Sequence, residues 1–197
     1  EDLGSPDGVE TNVRPELDAF LGREVELQAL AEALEAGCLF TVKGPGGVGK
    51  TRLARRAALA YRDRTKEQAW FCDLSSARRP EDVLRVLGTV LGVNLQADPV
   101  DQLGRVLSDR GAVLVVLDNF EQVGAAASLV QRLREHAEEA RFLVTSQARL
   151  RVRGEVVLEL APLGDVDAAA LLEARARSNG ATLAEVGPLL ELAMRLE

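Results

Sequence analysis

Histidine and cysteine are scarce in this chain, long apolar runs are missing, and positive charge is in deficit. Each shortage closes off a class of function. The single histidine, His136, stands on a charged helical stretch and reads as a solvated surface residue. With it alone, neither a zinc site nor a histidine-based catalytic triad can be assembled. Cys38 and Cys72 are the only cysteines, each in or beside an apolar, strand-like run. They read as two separate packing thiols rather than a disulfide or a metal pair. No apolar segment approaches the roughly 18 residues that a membrane helix needs, and none has the make-up of a signal peptide. The expectation is a cytoplasmic protein with no membrane partner. Lysine and arginine number 24 against 31 aspartates and glutamates, a formal net charge of −7. That balance disfavours a nucleic-acid-binding face, so no direct nucleic-acid contact is expected from this segment. What remains, 47% hydrophobic and 28% charged residues over 197 positions, suits one α/β domain and part of another.

The most informative stretch is Leu39 to Thr51. A short apolar strand, Leu39 to Lys43, runs into Gly44-Pro45-Gly46-Gly47-Val48-Gly49-Lys50-Thr51, which fits G-x-x-x-x-G-K-[ST], the phosphate-binding P-loop. The four fixed positions meet by chance in roughly 1 in 100 chains of this length, so the match carries weight, and strand before with helix after adds to it. A polyphosphate needs several backbone N–H donors turned inward, and glycines permit the dihedrals that build such a nest. The helix starting near Lys50 adds its positive dipole end. Lys50 is placed to reach the β- and γ-phosphates and the Thr51 hydroxyl to help hold Mg²⁺.

Taken in order, Glu1 to about Pro15 is polar and turn-rich and reads as a linker from an upstream module, residues 1–17 in all. Leu27, Leu30, Ala31 and Leu34 recur at helical spacing. A helix from Lys50 to about Arg64 follows the P-loop, then a strand over Ala69 to Leu74 and a loop to Pro80. Pro80 opens a helix that Gly92 ends, and Pro99 opens another that stops at Gly111. Val113 to Leu117 is a continuous aliphatic run, the pattern of a strand buried on both faces. It ends in Asp118, at the carboxyl end where open α/β sheets place ligands. Downstream of a P-loop it is expected to be the magnesium-holding acid, the alternative being a loop-start aspartate that caps a helix. A helix is expected from about Val123 to Glu139, a buried strand over Arg141 to Ser146, and a fifth strand over Val156 to Leu160. Pro162 to Asp165 begins a helix, and Thr182 and Pro188 begin two more. Strands alternating with helices predict an α/β fold of the P-loop NTPase type, with a mostly parallel five-stranded sheet sandwiched by helices. The nucleotide-binding domain is expected over residues 18–161, and the start of a helical domain over 162–197.

Together these landmarks resemble the nucleotide-binding domain of the STAND class of signalling NTPases, in particular the bacterial NB-ARC-like regulators. The residues that carry the resemblance are Phe20-Leu21-Gly22-Arg23-Glu24, Gly44 to Thr51 with Arg52-Leu53-Ala54, Leu117-Asp118-Asn119-Phe120-Glu121, Leu143-Val144-Thr145-Ser146, and Ala161-Pro162-Leu163. The resemblance implies ATP or ADP with Mg²⁺ as ligand. It implies that the Thr145 strand lies between the P-loop strand and the Asp118 strand, with Thr145 and Ser146 near the γ-phosphate. It also implies that Phe20, Leu21, Gly22 and Arg23 line the adenine and ribose, and that Arg52 joins Gly44 to Thr51 in the nucleotide site. Two departures stand out. The family's arginine after Thr-Ser is Gln147 here, so Arg149 or Arg151 takes over or γ-phosphate sensing is weakened. The family's Gly-x-Pro-Leu turn against the adenine is expected beyond Glu197, since Gly187-Pro188-Leu189 lies on the wrong side of its helix.

The reading that follows is a switch: ADP holds a resting form, ATP favours one that self-associates, and absent effector and sensor domains connect it to an output, often transcriptional. Hydrolysis is expected to be slow, because Asn119 lacks the charge of a second acid. Lys50, Asp118 and Glu121 are the candidate catalytic residues, Glu121 being the carboxylate available to orient water, or equally a dipole-complementing acid at a helix start. Two other classes stay open. One is a conventional AAA-like ATPase or motor, with Arg78 or Arg79 as a finger offered to a neighbour. The other is a non-hydrolysing scaffold that binds nucleotide only to stay folded.

Overall fold

The computed structural model describes residues 9–15, 20–37 and 39–178. In chain order the elements are α1 (Glu24–Ala36), β1 (Leu39–Lys43), α2 (Lys50–Thr65), β2 (Gln68–Asp73), α3 (Pro80–Leu91), α4 (Pro99–Arg110) and β3 (Val113–Asp118). A 3-10 turn (Phe120–Ala126) leads into α5 (Ala127–His136), β4 (Arg141–Ser146), β5 (Val156–Glu159) and α6 (Asp165–Ser178). The five strands form one sheet in the order β2-β3-β4-β1-β5, every pairing parallel. The Thr145 strand therefore lies between the P-loop strand and the Asp118 strand, as the resemblance implied.

Parallel strands are buried on both faces, and β3 shows the consequence, with all six residues buried. Side chains alternate across it. Val113, Val115 and Leu117, with Phe142 and Val144 of β4, join the apolar cluster shared with α3, α4 and α5. Leu114, Val116 and Leu143 are equally buried outside that cluster, and α2 packs along β1 to β4 with Leu53, Ala54, Ala57 and Ala58 inside. Each fully buried leucine or valine contributes about 1.5–3 kcal/mol of transfer free energy, so the sheet position of β3 is strongly specified. Pro80 and Pro99 stand at the first helical position, where a missing N–H costs nothing, and Gly92 ends α3 in the left-handed conformation at φ 70°.

Two expectations are corrected. The helix expected from about Val123 to Glu139 is shorter, Ala127–His136: Asn119 turns left-handed at φ 62°, the chain winds as a 3-10 turn, and a non-helical Val123 precedes α5. The leading segment is docked rather than loose, for the described residues 9–15 at least. Thr11 bridges to Ala69 in parallel, its hydroxyl donating to the Ala69 carbonyl, and Val13 is buried. The Asn12 amide mimics a neighbouring strand, donating to the Phe71 carbonyl at 2.8 Å and accepting from the Phe71 N–H at 2.7 Å. His136 is exposed, as expected, with its Nε2 3.1 Å from Asp101 and its Cβ beside Gly104.

Residues 9–15 and 25–160 make one compact unit, and residues 20–24 with 161–178 a second. In the second unit the Arg23 guanidinium donates to the Ala161 carbonyl at 2.5 Å. Gly22 has φ 68°, and a Cβ there would meet the Asp167 carboxyl at 3.0 Å. Cys38, the starts at Thr182 and Pro188, and Gly187 to Glu197 lie outside the described residues. No helix among the described residues is long and apolar enough to cross a membrane.

Candidate nucleotide site

β1 ends at Lys43, and the next eight residues supply the loop and the head of α2. Gly47 and Gly49 hold φ 79° and 95°, a region closed to most side chains, and nothing among the described residues lies within 4 Å of where their Cβ atoms would be. They are glycine for backbone shape, and the missing side chains leave a cradle open. Gly44 is glycine for another reason: a Cβ would stand 2.6 Å from the Leu160 carbonyl oxygen. Its N–H is fixed by the Ser146 carbonyl at 3.2 Å, tying the loop to β4. Pro45, Gly46, Gly47 and Gly49 are exposed and Val48 is half-buried. The head of α2 has Gly49 as its cap, with no side-chain cap hydrogen bond and no acid in its first turn. Such a terminus is left for an anion.

Lys50 is buried at 8% exposure, its Nζ donating to the carbonyls of Gly44 (3.0 Å) and Pro45 (2.9 Å). An ammonium has three protons, so one remains for a phosphate oxygen. Thr51 Oγ1 lies 2.9 Å from each oxygen of Asp118, to which it donates. Arg52 follows on the same turn, half-buried. Asp118 is 2% exposed and also accepts from the Thr145 hydroxyl, whose oxygen in turn accepts from the Asn119 N–H at 3.0 Å. Ser146 is buried beside it, accepting from the Ala148 N–H. Burial pushes the Asp118 carboxyl above its usual range; the hydrogen bonds from Thr145 and Thr51 oppose this, and the neighbouring Asp73 adds to it.

The residues fit a divalent cation. The Thr51 proton is spent on Asp118, which leaves the hydroxyl lone pairs and the carboxylate for a hard metal. Among the described residues no group of three or more histidine, cysteine or acidic side chains could hold one alone. Mg²⁺ would complete its shell with phosphate oxygens and water, as it does at nucleotide sites generally, and would neutralise charge there.

Around this centre the candidates separate. Glu121 is half-buried, with Oε1 3.4 Å from the Gln147 amide nitrogen and Oε2 buried without a partner among the described residues. Gln147 Nε2 is 3.9 Å from where a Cβ on Gly46 would sit, so the amide overhangs the loop. Arg149 pairs with Glu159 at 3.5 Å, and Arg151 is fixed by its N–H to Glu155. Arg78 is spent on its own loop, donating to the carbonyls of Ser75 and Ala77. Phe20, Leu21, Gly22 and Arg23 belong to the second unit.

The residue that sequence reasoning missed is Asp73. It ends β2 as Asp118 ends β3, and the two are register partners. The Asn119 amide nitrogen is 3.2 Å from Asp73 Oδ1 and 3.1 Å from Asp118 Oδ2. Burial raises the Asp73 carboxyl, but hydrogen bonds from Ser75 and Asn119, with the charge of Arg55, outweigh it and hold the group below its usual range. Arg55 lies over the Phe71 ring at 4.6 Å and its charge favours both carboxylates in ionised form. The signal was available: Trp70-Phe71-Cys72-Asp73 is a second apolar run closed by an acid.

Comparison with known proteins agrees with this geometry. An uncharacterised protein of Mycobacterium tuberculosis (strain H37Rv) is 31% identical over 173 residues, covering 86% of this chain and 44% of that protein. A second protein of the same strain, provisionally named an HTH-type transcriptional regulator, is 32% identical over 134 residues, 66% of this chain and 15% of its own length. The chain thus spans less than half the length of these relatives. Among solved structures, Cdc6p from Pyrobaculum aerophilum aligns with a TM-score of 0.63 at 17% identity, over 84% of this chain and 51% of that one. A STAND protein with a tetratricopeptide repeat sensor from Pyrococcus horikoshii aligns at 0.58 and 19%, over 96% and 30%. AMPPCP-bound DnaA from Aquifex aeolicus aligns at 0.59 and 14%, over 91% and 61%. These likenesses establish the parallel P-loop NTPase fold. The AAA domain family matches residues 34–152, well over half of the chain and all of β1 to β4, so the protein belongs to the AAA domain family and carries its nucleotide-binding domain.

Proposed function

We propose that this domain is an ATP/ADP-dependent switch module of a STAND-type signalling ATPase, with slow hydrolysis resetting it and self-association following ATP binding. The observation that carries the reading is the convergence of the Thr51 hydroxyl, both oxygens of Asp118 and the Thr145 hydroxyl beside a buried Lys50. Lys50 and Gly44 to Thr51 grip the polyphosphate, Thr51 and Asp118 hold Mg²⁺, and Thr145 and Ser146 face the γ-phosphate. Arg52 is assigned to the rest of the nucleotide. Glu121, whose second oxygen has no partner among the described residues, is assigned to the attacking water. Slow turnover follows from an amide rather than a second acid at Asn119. A transcriptional output is supported by the name of one relative.

The engagement of Arg78 by its own loop weighs against a motor that presents this arginine to a neighbour. The test is mass spectrometry of the purified protein for retained nucleotide, with titration of Mg-ATP into wild type and Lys50→Ala. ADP should be retained, and the variant should bind about tenfold or more weakly, the loss expected for a charge-assisted contact. Equal affinities would show that the phosphate site lies elsewhere. Glu121→Ala should slow single-turnover hydrolysis while leaving affinity in place, and an unchanged rate would remove Glu121 from the reaction.

A further inference from the structure

Asn119 is the best-anchored polar side chain of the site that has no part in gripping phosphate. Its amide nitrogen lies between two carboxylates, Asp73 Oδ1 at 3.2 Å and Asp118 Oδ2 at 3.1 Å. An ionised carboxylate only accepts, so both contacts require the –NH₂ end of the amide, and the alternative flip would set oxygen against oxygen. Asp118 alone would not fix the plane of the amide. Asp73, one strand outward and in register, supplies the second point. The backbone is held as well: the Asn119 N–H bonds Thr145, and its left-handed φ of 62° is one that asparagine tolerates. Both amide protons are thereby committed, and Oδ1 is the acceptor that the side chain has left.

We propose that Asp73 is a positioning residue for hydrolysis, holding the Asn119 amide so that its carbonyl oxygen accepts a proton of the attacking water. This rests on the nucleotide-switch reading above. Water has two protons to place, and the site then has two acceptors, Glu121 and Asn119. The water oxygen bonds to the γ-phosphorus as the bond to the β,γ-bridging oxygen breaks, that electron pair leaving with ADP. One water proton stays on the released phosphate, and the other passes to Glu121 and on to solvent. Asn119 accepts a hydrogen bond throughout and takes no proton. An amide that orients water without charge gives slow turnover, as phosphoryl-transfer enzymes of the amide type do in the absence of added help.

The experiment compares wild type, Asp73→Ala, Asp73→Asn, Asn119→Gly and the double variant Asp73→Ala/Asn119→Gly. Each is measured for Mg-ATP affinity, single-turnover hydrolysis and melting temperature. Glycine at 119 keeps the positive φ available, and Asn119→Gly leaves the Asp73–Ser75 turn intact. Expected are a fall in rate of about tenfold for Asp73→Ala, affinity within twofold of wild type, and substantial recovery in Asp73→Asn, whose side-chain oxygen still accepts from Asn119. The double variant should be no slower than Asn119→Gly alone. Asp73→Ala turning over at the wild-type rate would overturn the proposal. So would a fall in rate matched by equal losses in affinity and melting temperature, or additive effects in the double variant. Mg-ATP binding without any hydrolysis by wild type would sink this inference and leave the binding reading standing, whereas failure of wild type to bind would sink the function itself.

Discussion

Asp118 shows how a side chain can be kept for function against the interest of the fold. Burial raises its carboxyl, and the nearby Asp73 adds to the penalty. A folded-state pKa above the unfolded one means that the charged form is disfavoured by folding. The cost is nil below the unfolded value near 3.9 and is complete once pH exceeds the folded value. In the absence of nucleotide, Asp118→Asn should therefore raise the melting temperature at pH 7, and the gain should vanish as pH falls to about 4. The same variant should lose Mg²⁺-dependent ATP binding. Melting curves across pH check the first part, and a gain that persists at acid pH would place the cause outside the carboxylate. Cys72 gives a simpler case. It is fully buried in β2, and burial alone pushes its thiol up to about 12. In a Cys38→Ser background a thiol reagent at neutral pH should find nothing until the protein is unfolded. At this scale the sequence was most readable where residue type and backbone demand coincide, as at Gly47, Gly49, Lys50 and Thr51. Asp73 escaped because a strand-end aspartate is ordinary until the register sets it beside Asp118.

Among the elements, those with sharp punctuation were legible. Pro80 and Gly92 bracket α3, Pro99 and Gly111 bracket α4, and β3 announced itself by its aliphatic run. The stretch after Asp118 was misread, since the apolar spacing of Ala126, Val130, Leu133 and Ala137 says nothing about the left-handed Asn119 that starts it as a 3-10 turn. Nor could the contact between α4 and α5 be seen in advance. Gly104 sits mid-helix, where glycine is costly, because a Cβ there would lie 2.5 Å from the His136 Cβ. Gly104→Ala should therefore destabilise the protein by about 1–3 kcal/mol despite its better helix propensity. Chemical denaturation would show it, and a stabilised variant would mean that the two helices separate easily.

Across the whole molecule, composition set the class, and the strand order came only with the likeness to a known family, because parallel pairing between distant segments leaves no local trace. The division of the chain was less legible still. Phe20 to Glu24 reads as the entrance to the nucleotide domain, yet it groups with the residues after 160. At this scale the switch and the scaffold readings part. Any bound ligand raises the melting temperature by mass action, but a switch should respond unequally to saturating Mg-ADP and a non-hydrolysable Mg-ATP analogue, with association changing in one of them. Equal shifts and unchanged association would favour a scaffold.

The Asn12 amide, which clasps both backbone groups of Phe71, also equips the protein with a gauge. The Phe71 proton has that side chain as its partner on the outer margin of the sheet, so its exchange with deuterated solvent times how often the leading residues lift away, while amides deep in β3 time the loss of the fold itself. Removing the clasp with Asn12→Ala should speed the first clock and leave the second running as before.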